Sequence, residues 1–169
     1  ETVVVHPPFR WQRDYARAFV EGIADMEAKH GVTYAVENMY PWRTGKREFQ
    51  AYAPGWNPVE QDYEHVTVDL SHSSTAGQDP VQMAEDLGDR LAHVHITDGS
   101  GSAKDEHLVP GRGTQPCEAF LATVAASGFS GEIVVEINTR KAGDQQAREA
   151  DLLEAMAFTR LHAAREVVT

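Results

Sequence analysis

The sequence predicts an α/β fold with parallel strands, of the (β/α) barrel type, and three observations predict it. Five short β-like runs, VVVHPP, TYAVEN, HVTVDLSH, LAHVHITD and GEIVVEIN, alternate along the chain with helical patterns or loops. The first joint, strand to helix to strand with a short turn, is a βαβ unit, which implies parallel pairing and a right-handed crossover. Each run also delivers a His, Asp or Glu at or near its C-terminal end, where parallel α/β folds collect their chemistry. A closed eight-stranded barrel typically takes about 250 residues, and this chain has 169. The expectation is therefore the later five βα units of such a barrel with the N-terminal part missing, residues 1–169 forming a single, partial domain.

Taken in order, the first run ends on His6, and Pro7 and Pro8 make an extended exit. Tyr15, Phe19, Ile23 and Met26 recur at helical spacing, which predicts one amphipathic helix from about residue 12 to residue 30, stopped by Gly31. A strand over Val32–Val36 leads to Glu37. From Asn38 to about Pro58 the pattern lapses into a loop holding Tyr40, Trp42, Tyr52 and Trp56, and a long aromatic loop at this position reads as functional. Arg43, Lys46 and Arg47 within it form a small basic cluster that a substrate phosphate would find useful.

The next strand is expected over Val66–Leu70 and carries Asp69, with His72 just beyond it. Asp79 and Pro80 supply the N-cap and first turn of a helix through about Arg90, with Val81, Ala84 and Leu87 as its buried stripe. In the strand that starts at Leu91, Val94 and Ile96 alternate with His93, His95 and Thr97 before a polar loop bearing Asp98, Asp105 and His107. A helix from about Gln115 to Ser127 buries Phe120, Leu121 and Val124 and ends at Gly128. Glu132–Ile137 is the last strand, read as buried on both faces from Val134 and Val135, and it carries Glu136. Asp144 caps a long final helix whose apolar residues are Leu152, Leu153, Met156 and Leu161.

Composition narrows the partners. Acidic side chains number 26 against 15 basic ones, a formal net charge of −11, which repels a phosphate backbone over the surface as a whole and makes nucleic acid a disfavoured partner. Cys117 is the sole cysteine, so no internal disulfide can form and a reducing, cytoplasmic setting is expected. No apolar run reaches the roughly 20 residues of a membrane span, and no signal peptide is visible. The chain begins at Glu1, directly ahead of a strand, and reads as the later part of a longer protein. An open set of parallel strands leaves edges unpaired, so a homo-oligomer or a missing N-terminal segment is expected.

The strand ends carry the chemistry. Glu37, Asp69, His95 and Glu136, from four different strands, can converge into a shell of three carboxylates and one imidazole, which suits Mn²⁺, Mg²⁺ or Co²⁺ better than a structural zinc. His6, His72, Asp105 and His107 form a second group, richer in nitrogen, which would suit Zn²⁺. Singly, each of these is more often a satisfied polar residue or a surface charge. The joint pattern carries the weight, and Asp98 and His93 stay outside it.

VENMYP, VDLSH, HVHITD, DEHLVPGRG and VVEIN, in this order and spacing, resemble the xylose-isomerase-like TIM-barrel superfamily. That superfamily holds sugar isomerases and epimerases beside apurinic-site endonucleases of the endonuclease IV type. The resemblance implies that Glu37, Asp69, His95 and Glu136 form the shared metal shell. It also implies that His6, His72, Asp105 and His107 bind further zinc ions, as in the nuclease branch, or touch substrate, as in the sugar branch. The activity expected from it is a metal-dependent isomerase or epimerase of a small sugar, sugar phosphate or other hydroxy-carbonyl compound, working through an enediolate. In that reading Glu37 and Glu136 exchange the proton as base and acid, and His72 and His107 hold hydroxyls. Trp42 or Trp56 closes over the sugar and Arg112 orients an oxygen. The alternatives are a zinc phosphodiesterase acting on abasic DNA, and a fragment inactive without its missing N-terminal half.

Overall fold

A computed structural model describes residues 1–45 and 47–164; Lys46 of the basic cluster lies outside the described residues. In chain order the elements are β1 (Thr2–Val5), α1 (Arg13–Arg17), α2 (Phe19–His30), β2 (Thr33–Glu37) and the β3 (Trp42–Thr44) and β4 (Arg47–Phe49) hairpin. Then come β5 (Val66–Asp69), α3 (Leu70–Ala76), α4 (Pro80–Leu87), β6 (Leu91–Ile96), α5 (Cys117–Ala126), β7 (Glu132–Val135) and α6 (Gln145–Ala163). The five strands foreseen in the sequence form one parallel sheet in the order β1-β2-β5-β6-β7. Apart from the step from β2 to β5, across the β3–β4 hairpin, neighbours in this sheet are neighbours in sequence, as in a barrel wall laid down one βα unit at a time. It is a curled half-barrel of parallel strands and helices, consistent with a partial TIM barrel.

The core lies between the sheet and its helices. Val36, Val66, Val68, Val94 and Ile96 of the strands meet Phe19 and Ile23 of α2, Met83 and Leu87 of α4, and Phe120, Leu121 and Val124 of α5. β5, at the centre of the sheet, is buried along its whole length, as a parallel strand covered on both faces must be. Among the described residues no helix is long and apolar enough to cross a membrane.

Several local expectations change. The single helix expected over 12–30 breaks at Ala18, whose ψ of 5° leaves the helical range, and only Phe19 and Ile23 are buried; Tyr15 of α1 and Met26 of α2 are exposed. The loop after β2 contains the antiparallel β3–β4 hairpin, turned at Gly45 with a φ of 60°. The strand of Asp69 stops at that residue, and Leu70 begins a helix, α3, that the sequence reading lacked; Asp69 caps it and Gly77 closes it in the left-handed region. In α4 the buried stripe is Met83, Ala84 and Leu87, with Val81 only partly covered. β7 is an edge strand and not buried on both faces, so Val134 remains 42% exposed. The apolar residues named for α6 are exposed, Leu161 at 72%; Phe158 and Ala163 pack against the core, and Ala155 is the helix's buried residue.

Candidate metal centre

Parallel register brings the strand ends level. Asp69 of β5 pairs with His95 of β6, and Glu37 of β2 with Thr67 of β5, while the amide of Glu136, one residue past β7, donates to the carbonyl of Ile96 at 3.2 Å. The result is that Glu37, Asp69, His95 and Glu136 each offer one ligand atom within 4.8 Å of the others. His95 Nδ1 lies 2.7 Å from Glu136 Oε2, 2.8 Å from Glu37 Oε1 and 3.7 Å from Asp69 Oδ2. One ring N–H cannot serve three carboxylates.

Asp69 shows where the shortfall falls. Its Oδ1 accepts from the amide of His72 at 2.8 Å and so caps α3, while its Oδ2, in a side chain with 0% exposure, has no hydrogen-bond partner among the described residues. A buried carboxylate oxygen with no partner carries a desolvation penalty that a cation relieves. Three carboxylates, one imidazole and an orphaned buried oxygen fit a divalent ion, with Glu37, Asp69, His95 and Glu136 as the residues that would hold it.

The electrostatics agree. Burial alone would raise the Glu37 carboxyl, but hydrogen bonds to His6 and His95 and the charge of His72 outweigh it and bring it down to about 2. Burial would lower the His95 imidazolium, yet the surrounding carboxylates of Asp69, Glu136 and Glu37 push it up to about 12. The metal-free centre therefore keeps its own proton as a counter-ion on His95, and that proton must leave before the imidazole can bind a cation. A divalent ion held here, probed with Mn²⁺, should therefore bind more tightly as pH rises from 6 to 8, by up to about tenfold per unit for each proton released. Titration calorimetry in buffers of different ionisation enthalpy counts those protons, and an affinity independent of pH would contradict the assignment of His95.

The nitrogen-rich group joins the same network. His6 Nε2 lies 2.6 Å from Glu37 Oε2. Asp105 Oδ2 bridges His72 Nε2 at 3.2 Å and His107 Nε2 at 2.9 Å, and His72 Nδ1 donates to the carbonyl of Asn38 at 2.8 Å. His107 Nδ1 lies 4.0 Å from Asp69 Oδ2, so Asp69, His72 and His107 form a second set close enough to share an ion. Burial opposes the charge on His72, but Asp69, Asp105 and Glu37 raise it to about 10.

Three residues expected to bind substrate have other partners. Trp42 packs in an aromatic cluster with Phe9, Trp11, Phe49 and Tyr52. Trp56 lies against the small apolar group of Met39, Ala51 and Tyr52. The guanidinium of Arg112 is engaged by Asp151 and Glu154 of α6, and that of Arg43 by Glu48. Tyr40 is instead the aromatic ring at the site, its centre 5.1 Å from that of His72.

The structure also supplies residues that sequence reasoning passed over. Asn38, fully buried, accepts from the amide of Asp69 at 2.6 Å and donates to its carbonyl and to Ser73 Oγ, both at 3.1 Å, which fixes the end of β5. Asp98 accepts from four backbone amides, those of Gly99, Gly111, Gly113 and Gln115, at 2.8–3.0 Å, and so folds the GRG turn around its carboxylate. A Cβ at Gly113 would overlap that carboxylate and the carbonyl of Gly99, which is why glycine stands there. The one signal for either residue is adjacency, Asn38 to Glu37 and Asp98 to the HVHIT strand.

Known proteins resemble this chain in sequence and fold. An uncharacterized protein of Mycobacterium tuberculosis strain H37Rv is 44% identical over 184 aligned positions, covering 98% of this chain and 66% of the relative. The fructoselysine 3-epimerase of Escherichia coli O157:H7 is 32% identical over 72 residues, 43% of this chain and 26% of that enzyme. The crystal structure of a D-tagatose 3-epimerase-like protein superposes with a TM-score of 0.63 at 25% identity, over 97% of this chain and 65% of that one. The chain thus spans about two thirds of the length of the mycobacterial relative and of the epimerase-like protein. The family model described as "Xylose isomerase-like TIM barrel" matches residues 1–162, the whole sheet and almost all of α6, and the chain belongs to that family.

Proposed function

We propose that this chain carries the active site of a metal-dependent isomerase or epimerase that acts on a sugar or other hydroxy-carbonyl compound through an enediolate. The observation that carries the reading is the orphaned, buried Asp69 Oδ2 set among Glu37, His95 and Glu136. The similarity to epimerases of sugars and sugar adducts supports it. Bound by these four residues, a divalent ion, with Mn²⁺, Mg²⁺ or Co²⁺ favoured by the oxygen-rich set, supplies polarisation of a substrate carbonyl and its neighbouring hydroxyl.

The remaining work falls to side chains. Glu37 and Glu136 approach from strands on either side of β5 and β6, and in this reading each would bring a carboxylate to the carbon beside the carbonyl, one taking the proton as base and the other returning one as acid. Glu37 is nearly inaccessible at 2% exposure, whereas Glu136 at 46% faces the opening and can trade its proton with solvent. His72 and His107, tied together through Asp105, hold substrate hydroxyls, and Tyr40 offers an apolar ring beside them.

The test is proton exchange: the chain loaded with Mn²⁺ and given a panel of ketoses in D₂O incorporates deuterium at the carbon next to the carbonyl, read by NMR. No incorporation into any ketose would count against the reading.

A second reading, a zinc phosphodiesterase of the apurinic-site endonuclease type, draws on the Asp69, His72 and His107 set. Elemental analysis of the purified chain separates the two. Two or three Zn²⁺ per chain and cleavage of abasic DNA favour the nuclease, and one Mn²⁺, Mg²⁺ or Co²⁺ favours the isomerase. The net charge of −11 weighs against a nucleic-acid groove.

A further inference from the structure

The loop between β6 and α5 is gripped by one face of α3. Ser74 Oγ accepts from the amide of Gly101 at 2.9 Å, and Thr75 Oγ1 donates to the carbonyl of Lys104 at 3.2 Å. Ser71 does more. Its hydroxyl donates to Asp105 Oδ1 at 2.7 Å and accepts from the amides of Glu106 at 3.1 Å and His107 at 3.0 Å. One donor and two acceptor sites exhaust what a hydroxyl has, and the side chain has no exposure to water.

What Ser71 holds is under strain. His107 is the one non-glycine residue described with positive φ, at 47°, a conformation that L residues keep only where their surroundings impose it. The other ligand of Ser71, Asp105, is the carboxylate that joins His72 to His107. We infer that Ser71 is a positioning residue: it sets Asp105 and His107 over the candidate centre and through them determines how tightly substrate hydroxyls are held. This rests on the isomerase reading for the substrate, but the latch itself does not. The face of α3 thus makes the DEH loop a preformed wall of the site.

Ser71→Ala, compared with Thr75→Ala in the full chain, tests it. Thr75 binds the same loop without touching Asp105 or His107, so its loss reports the merely structural contribution. In Ser71→Ala the amides of Glu106 and His107 exchange with solvent about tenfold faster or more, while that of Leu108, bonded to Asp98, keeps its protection. On a ketose turned over by the cation-loaded protein, Ser71→Ala raises KM about tenfold and lowers kcat by less than about threefold, and Thr75→Ala leaves KM unchanged. Unchanged protection at Glu106 and His107 overturns the latch, and an equal rise of KM in Thr75→Ala overturns the positioning role. If Ser71→Ala does not fold, Ser71→Cys, which keeps the volume and weakens the acceptor, goes into the same two assays and is judged by the same results. A wild-type chain that turns over no ketose sinks the isomerase reading alone, because the exchange measurement still decides the latch.

Discussion

Asp69→Asn leaves the fold standing and removes the cation. Asp69 has two separable tasks. Oδ1 caps α3 by accepting from the amide of His72, and asparagine caps a helix as well as aspartate does, so the thermal midpoint of the metal-free variant stays within a few degrees of the parent. Oδ2 has no partner and faces His95 at 3.7 Å in the midst of Glu37 and Glu136. An amide nitrogen in its place points donors into the seat of a cation and removes one of its negative charges. It also offers the neighbouring carboxylates a further donor, so the metal-free state does not suffer. Loss of a direct ligand exceeds the 10–100-fold that altering a ligand's supporting partners typically costs, so affinity for Mn²⁺ falls by more than about 100-fold. Equilibrium dialysis of the variant reads this directly. Retained affinity would show that the cation sits elsewhere, and a collapse of stability would show that Oδ2 has a structural partner after all.

The strands and the candidate ligands were legible in the sequence for a common physical reason. A parallel strand must be apolar where neighbours cover it and becomes polar where it emerges, so the change from Val66–Val68 to Asp69, or from Val36 to Glu37, marks both a boundary and a site. Elements shorter than a period were not legible: β3 and β4 have three residues each, too few for alternation to appear. α3 was hidden because LSHSST has no apolar stripe; Ser71, Ser74 and Thr75 are buried against the loop they bind, not against a hydrocarbon core. Asn38, Ser71 and Asp98 act on backbone that folding brings up from 13 to 36 positions away in the chain, and no local pattern encodes that. Arg112 was read from its loop alone, whereas its partners lie on a helix about forty residues later. The apolar residues of α6 formed a sequence stripe with no facing surface among the described residues. Periodicity reports that a face is apolar and is silent on what covers it.

Glu136→Gln separates the two halves of the proton exchange. The side chain sits one residue beyond the edge strand β7, half exposed, and its Oε2 pairs with His95, so the near-isosteric amide spares the fold. The bond to His95 is foremost in holding this carboxyl below its usual range, and burial opposes it. The acid is thus ionised at neutral pH and fit to accept a proton. Glutamine keeps an oxygen for the cation but neither accepts nor returns a proton, and removal of a positioned acid–base group costs about 10²–10⁴ in rate. At saturating Mn²⁺, kcat for conversion of one ketose into its epimer should fall by at least about 100-fold. Glu37 remains on the other side of the substrate, so for the epimer whose C–H bond faces Glu37 the first step survives. That epimer should take up deuterium from D₂O without inverting, because the carbon is reprotonated from the side that lost the proton. Inversion within tenfold of the parent rate would remove Glu136 from the mechanism. Loss of deuterium uptake together with inversion would mean that Glu136 serves the cation and not the proton, since a single missing acid–base group stops one face only.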